Sequence, residues 1–204
     1  MNVKLKICGM RYPVNILEVG ALRPDFMGFI FYNQSPRFVT DDFKIPSGLP
    51  ESINRVGVFV NESFETILKA VDRYALNFVQ LHGNESVILC EKLKQTNIGV
   101  IKVFSIDQDF DFRTVNPYKK VVDFFLFDAK GKYYGGNAVP FDWNLLKQYD
   151  QEVPFFLSGG ISLKNISQVL QLKDMNLYGV DVNSGVELNP GVKDVDKISE
   201  LLKK

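Results

Sequence analysis

Two side chains in this sequence stand where acid–base chemistry would need them. Cys8 ends the stretch "VKLKIC" and Asp128 ends "VDFFLFD" (122–128). In the first run Val3, Leu5 and Ile7 alternate with Lys4 and Lys6, the period-two pattern of a strand. Gly9 follows the thiol and lets the backbone turn sharply. Position alone makes Cys8 a packing residue, because free cysteine is among the most buried residue types. A thiol serves as a base where nearby positive charge or strand-end amides support its thiolate. A carboxyl serves as an acid where burial raises its pKa. A substrate held between the two could lose a proton to one and gain one from the other.

Other polar residues fall at comparable places. Tyr32 with "SPR" (35–37), Asn61, His82-Gly83, "SGG" (158–160) and Asp181 through Gly185 each follow an apolar run. Arg37 could clamp a carboxylate with its planar fork, or be an ordinary loop arginine. "SGG" and "NSG" (183–185) each allow backbone N–H groups to converge on an anion, and a helix N-terminus after them would add partial positive charge. His82 either orients loops or touches ligand. Asp181 either touches ligand or bonds neighbouring loop amides. Cys90 lies on the apolar face of a helical stretch and reads as core.

The elements that must carry these residues are eight apolar runs: 3–8, 26–32, 55–60, 78–82, 99–104, 122–128, 154–160 and 178–185. Helical spacing lies between several of them, at 61–74, 85–95, 162–172 and 194–204. The stretch 40–54, with Pro46, Gly48 and Pro50, predicts a short or broken helix, and 107–120 predicts little more than a turn or two. Repeated strand–helix alternation is the form of a parallel sheet. With no distinct polar edge strand, the expectation is a closed (β/α)₈ barrel, a TIM barrel, forming one domain over 1–204. Its active site would lie at the C-terminal strand ends, with phosphate at the loops after strands seven and eight.

Composition removes several classes. Lys+Arg and Asp+Glu both count 24, so no whole-protein basic field for nucleic acid or anionic lipid is expected. No apolar run is long enough to span a membrane and no leader-like segment opens the chain, so a cytoplasmic location is expected. Two cysteines and one histidine make neither a disulfide framework nor a His-based metal site. The nucleotide-binding glycine motifs are absent.

"KICGM", "GFIFYNQSPRFV", "RVGVFVN", "VQLHGNES", "FLFDAKGKYYGG…FDW", "LSGGI" and "GVDVNSGVELNPGVKD" resemble phosphoribosylanthranilate isomerase, in order and nearly end to end. The resemblance implies a cofactor-free Amadori rearrangement of N-(5′-phosphoribosyl)anthranilate in tryptophan biosynthesis, with that phosphosugar as the small-molecule partner. It makes Asp128 the general acid at the ring oxygen and Cys8 the general base at C2′. Arg37 would take the anthranilate carboxylate, and Gly159, Gly160, Ser184 and Gly185 the phosphate. His82 and Asp181 match positions near the substrate. One departure is "GGNAVPFDW", where Asn137-Ala138 replaces the family's usual Ser/Thr-Gly and Val139-Pro140 follows, so closure of that loop is expected to differ. A two-aspartate sugar isomerase would need aspartate at Cys8. Indole-glycerol-phosphate synthase would need an inward lysine at a strand end, and none is expected. A decayed barrel kept for ligand binding would not need Cys8, Arg37 and Asp128 together. The helix faces suggest no large apolar patch, so a monomer is expected.

Overall fold

In the computed structural model, which describes residues 3–129, 141–172 and 174–204, eight parallel strands close into a barrel in sequence order. They are β1 Lys4–Ile7, β2 Phe26–Ile30, β3 Asn54–Phe59, β4 Phe78–Leu81, β5 Gly99–Ile106, β6 Phe124–Ala129, β7 Phe155–Leu157 and β8 Leu177–Val182. Closure comes from β1 against β8, where Lys4 to Ile7 pair with Gly179 to Val182. The expected TIM barrel is therefore present.

Helices α1 Pro13–Ala21, α2 Phe64–Tyr74, α3 Val87–Lys94, α4 Ile166–Val169 and α5 Val195–Leu202 cover it. Local chemistry starts most of them. Pro13 opens α1, where its missing N–H costs nothing. Ser63, Ser86 and Asp194 accept from the amides of Thr66, Leu89 and Lys197 at the starts of α2, α3 and α5.

The weak segments behave as their prolines require. No helix forms between β2 and β3, and Phe112–Tyr118, with Pro117 inside it, is a 3₁₀ turn. The helix expected over 162–172 shrinks to four-residue α4 and the 3₁₀ turn Leu170–Leu172. Asn165 explains the late start. Its side chain accepts from Ser162 N at 2.8 Å and donates to Gly160 O at 3.0 Å, holding the loop instead of capping the helix. After β8 the chain makes a hairpin, β9 Glu187–Asn189 and β10 Val192–Lys193, before α5 begins.

Successive strand residues face opposite ways, and in a barrel both faces are buried. Leu5, Ile7, Phe29, Phe59, Phe125 and Phe127 belong to the outer core under the helices. Cys90, on α3, joins that core, and burial pushes its thiol up to about 11. The barrel's floor is an aromatic plug: Phe26 meets Phe156 edge-on at 5.2 Å, and Phe124 lies 4.3 Å from Tyr178. At the N-terminal rim, Asp25 accepts from Leu5 N and Asp123 from Val100 N. That end is tied off by backbone bonding, which leaves the reactive residues to the other end.

Candidate active site

Cys8, Tyr32, Ser35, Gln80, His82, Asp128, Ser158, Asp181 and Asn183 line one cavity at the C-terminal mouth of the barrel. Cys8 stands one residue past β1, its N–H donating to Val182 O at 2.9 Å, so the closing strand pair aims the thiol. Gly9 makes the turn at φ +74°; a Cβ there would strike Arg37 Cδ at 2.6 Å and Asn183 Oδ1 at 2.8 Å. Larger grooves lie on the outside. The one lined by Phe43, Lys44, Arg55, Arg73 and Tyr74 offers cations and rings but no acid–base pair.

Asp128 is buried on β6, with His82 Nε2 at 3.4 Å from its Oδ2. Gln80, two residues earlier and on the same face as His82, lies 3.4 Å from His82 Nδ1. Cys8 and Asp128 thus face one space from opposite sides of the barrel, on β1 and β6. Burial pushes the Cys8 thiol up most; Lys6 and Lys193 pull it back and Asp181 adds to the rise, leaving it above its ordinary value. Burial also raises Asp181, against the opposing pull of Lys6. Asp181 bonds Lys6 Nζ at 2.8 Å, an ion pair in place of loop amides.

Arg37 comes to the same mouth but not empty-handed. Its Nε and Nη2 donate to the two carboxylate oxygens of Glu187 at 2.9 and 2.6 Å. Glu187 also accepts from Lys193 Nζ at 2.7 Å and Gly191 N at 3.0 Å. A substrate carboxylate at Arg37 would meet the remaining N–H edge of the fork.

The loops after β7 and β8 converge. A Cβ on Gly185 would lie 2.1 Å from Ile161 O, and Gly159 and Gly160 take φ +89° and +66°. Among the described residues, the amides of Gly159, Gly160, Ser184 and Gly185 donate to no backbone oxygen outside their own elements. Backbone amides on two converging loops are the kind of group that receives an anion. The expected helix support is weaker than the sequence suggests, since Ser184–Val186 is a single 3₁₀ turn and α4 is short. The Asn137–Pro140 departure lies outside the described residues.

Sequence reasoning missed Lys6, Gln80, Glu187 and Lys193. One inward lysine does exist, contrary to expectation, but Lys6 is ion-paired below the strand end. Glu187 and Lys193 were signalled by "GVELNPGVKD", where a glutamate and a lysine flank a Pro-Gly hairpin.

Comparisons with known proteins place the chain in a family. The sequence model of the family described as N-(5'phosphoribosyl)anthranilate (PRA) isomerase matches residues 5–204. An N-(5'-phosphoribosyl)anthranilate isomerase from Phocaeicola vulgatus is 46% identical over 190 residues, covering 93% of this chain and 91% of that protein. The crystal structure of the phosphoribosyl anthranilate isomerase from Thermotoga maritima superposes with TM-score 0.85 at 35% identity, covering 98% of this chain and 97% of that one. A second such structure, in complex with reduced 1-(o-carboxyphenylamino)-1-deoxyribulose 5-phosphate, gives TM-score 0.82 at 33% identity with the same coverage. With the family model spanning nearly the whole chain and the closed barrel shared, this protein belongs to the phosphoribosylanthranilate isomerase family.

Proposed function

We propose that this chain isomerises N-(5′-phosphoribosyl)anthranilate to 1-(2-carboxyphenylamino)-1-deoxyribulose 5-phosphate in tryptophan biosynthesis, with Asp128 as general acid and Cys8 as general base. The observation that carries the assignment of roles is that a buried thiol and a buried carboxyl face one cavity from opposite strands. Asp128 gives a proton to the furanose ring oxygen, and the C1′–O bond opens to a protonated Schiff base. Cys8 takes the C2′ proton; the electron pair left behind forms the enamine, which tautomerises to the ketone. Each step moves a proton, so the net reaction is an isomerisation.

The amides of Gly159, Gly160, Ser184 and Gly185 would hold the phosphate, and Arg37 the anthranilate carboxylate. His82 and Asp181 support these groups from the cavity wall. Cys8, His82, Asp128 and Asp181 line one cavity of the single chain, so the acid–base pair needs no residue from a second copy, and we take the active form to be a monomer. Among the described residues no helix is long and apolar enough to cross a membrane, and a biosynthetic role fits the cytoplasm.

The test is loss of anthranilate-type fluorescence on substrate generated in situ, with Cys8→Ser and Asp128→Asn alongside. Turnover by the wild type, with each variant down at least about a hundredfold, is the expected result. A folded wild type that leaves the substrate unchanged would overturn the reading.

A further inference from the structure

The cavity leaves one charged neighbour of Cys8 without a role. Strand alternation puts Lys6 on the same inward face as Cys8, one step deeper. Lys6 is fully buried, above the aromatic floor. A charge so placed persists only when it is paired. Its Nζ donates to Asp181 Oδ1 at 2.8 Å, from the residue directly across the β1–β8 ladder. On the other side β2 offers Gly28, which has no side chain to fill the gap. A Cβ on Gly28 would lie 2.9 Å from Cys8 Sγ and 3.2 Å from Lys6 Nζ. Thiol and ammonium therefore converge on the space that this glycine leaves open.

We propose that Lys6 is a positioning residue for Cys8: its ammonium, fixed by Asp181 beside the gap at Gly28, stabilises the thiolate that takes the substrate proton. The role of that thiolate rests on the isomerase reading; the coupling of Lys6 to Cys8 rests on geometry alone. When the C2′ proton moves to Sγ, the thiolate becomes a neutral thiol and Lys6 keeps Asp181 as its counterion. The ammonium is thus never left alone in the barrel.

The charged groups around the thiol come from several elements. Lys6 lies on its own strand, Asp181 on β8 and Lys193 on β10, while Asp128 on β6 and His82 after β4 act on Asp181. Burial and Asp181 favour the thiol, whereas Lys6 and Lys193 favour the thiolate. Of the two lysines Lys6 has the larger influence on the thiol.

The experiment titrates Cys8 by thiolate ultraviolet absorbance, taken as the difference from Cys8→Ser, in the wild type and in Lys6→Met. The expected result is a midpoint moved alkaline by about one pH unit or more, the size a neighbouring charge produces. At neutral pH kcat should fall about tenfold, recovering as pH rises, with KM held within about threefold. Should Lys6→Met strand Asp181 and fail to fold, Lys6→Met in an Asp181→Asn background is read against Asp181→Asn alone. Gly28→Ala, which changes no charge but pushes a methyl between sulfur and ammonium, should shift the midpoint the same way. An unmoved midpoint in the folded lysine variants would overturn the proposal, even with an active wild type. A moved midpoint in a chain with no isomerase activity would uphold the coupling and sink the isomerase reading instead.

Discussion

Lys193 sits fully buried on β10, with Nζ donating to Asn183 Oδ1 and Glu187 Oε1 at 2.7 Å each. Burial outweighs those partners and, with the like charge of Arg37 nearby, lowers its pKa from 10.5 to about 8. Glu187 behaves oppositely. Burial pushes it up, but it faces two cations, Arg37 and Lys193, and their bonds hold it below the ordinary carboxylate range. The sign for Lys193 follows from linkage. Below about pH 8 both folded and unfolded chains hold its proton, and burying the ammonium is a constant cost. Between about 8 and 10.5 the unfolded chain binds more protons, so the contribution to stability rises with pH. Relative to Lys193→Met, wild-type stability in urea should therefore gain about 2 kcal/mol from pH 7.5 to 9.5, at 1.36 kcal/mol per pH unit. A wild-type stability that instead falls relative to Lys193→Met over that range would mean the Glu187 bond dominates burial. Such residues were hard to read in sequence because a lysine between apolar residues is taken as a solvent-facing position. In a barrel that face is the interior, so Lys6 does not stand out in the sequence as Cys8, Asp128 and Arg37 do.

Among elements, strands were legible throughout, since eight apolar runs became eight barrel strands. Capped helices such as α2, α3 and α5 also followed from local residues, Ser63, Ser86 and Asp194. The connections that failed, over 162–172 and after β8, are those where a side chain bonds a loop rather than its own helix, as Asn165 does. The turns that shape the site depend on glycine in ways spacing alone does not reveal. Gly159, after β7, has φ +89°, and a Cβ would lie 2.5 Å from Ala129 N and 3.0 Å from Asp128 Oδ1. Gly191, in the β9–β10 hairpin, has a similar φ of +84°, yet its nearest obstacle is Arg11 Cβ at 3.3 Å. Gly159→Ala should lose roughly 2–4 kcal/mol and at least about tenfold in kcat, because strain and clash act beside the acid. Gly191→Ala should lose only about 1 kcal/mol, with kcat within about twofold. Denaturation and steady-state kinetics on both variants separate backbone strain from crowding of Asp128; equal kcat losses would refute the distinction.

At the scale of the whole molecule, the described strands close into one ladder, β1 against β8. The mouth is braced by a further buried ion pair, away from the chemistry. Glu85 accepts from Asn61 N, Gly83 N and Lys102 Nζ, each at 2.9 Å, and Lys102 also donates to Gly83 O at 2.8 Å and Leu81 O at 3.2 Å. These bonds join the ends of β3 and β4 to the middle of β5 through one network, which holds the segment carrying His82. Alternation turns Lys102 away from the inward Ile101 and Val103, so it braces the barrel wall and takes no part in the cavity. Breaking the pair from one side should cost far more than removing both charges. Lys102→Met strands Glu85 and should cost about 3–5 kcal/mol, whereas Lys102→Met with Glu85→Gln keeps an acceptor for the loop amides and should recover a good part of that loss. Urea unfolding followed by circular dichroism and by the single tryptophan, Trp143, should give coincident transitions in the wild type and both variants. Coincidence with the loss graded this way would mark the pair as a brace within one cooperative unit. Separate transitions would mean that the wall around β3 to β5 unfolds independently of the strands that carry Cys8 and Asp128.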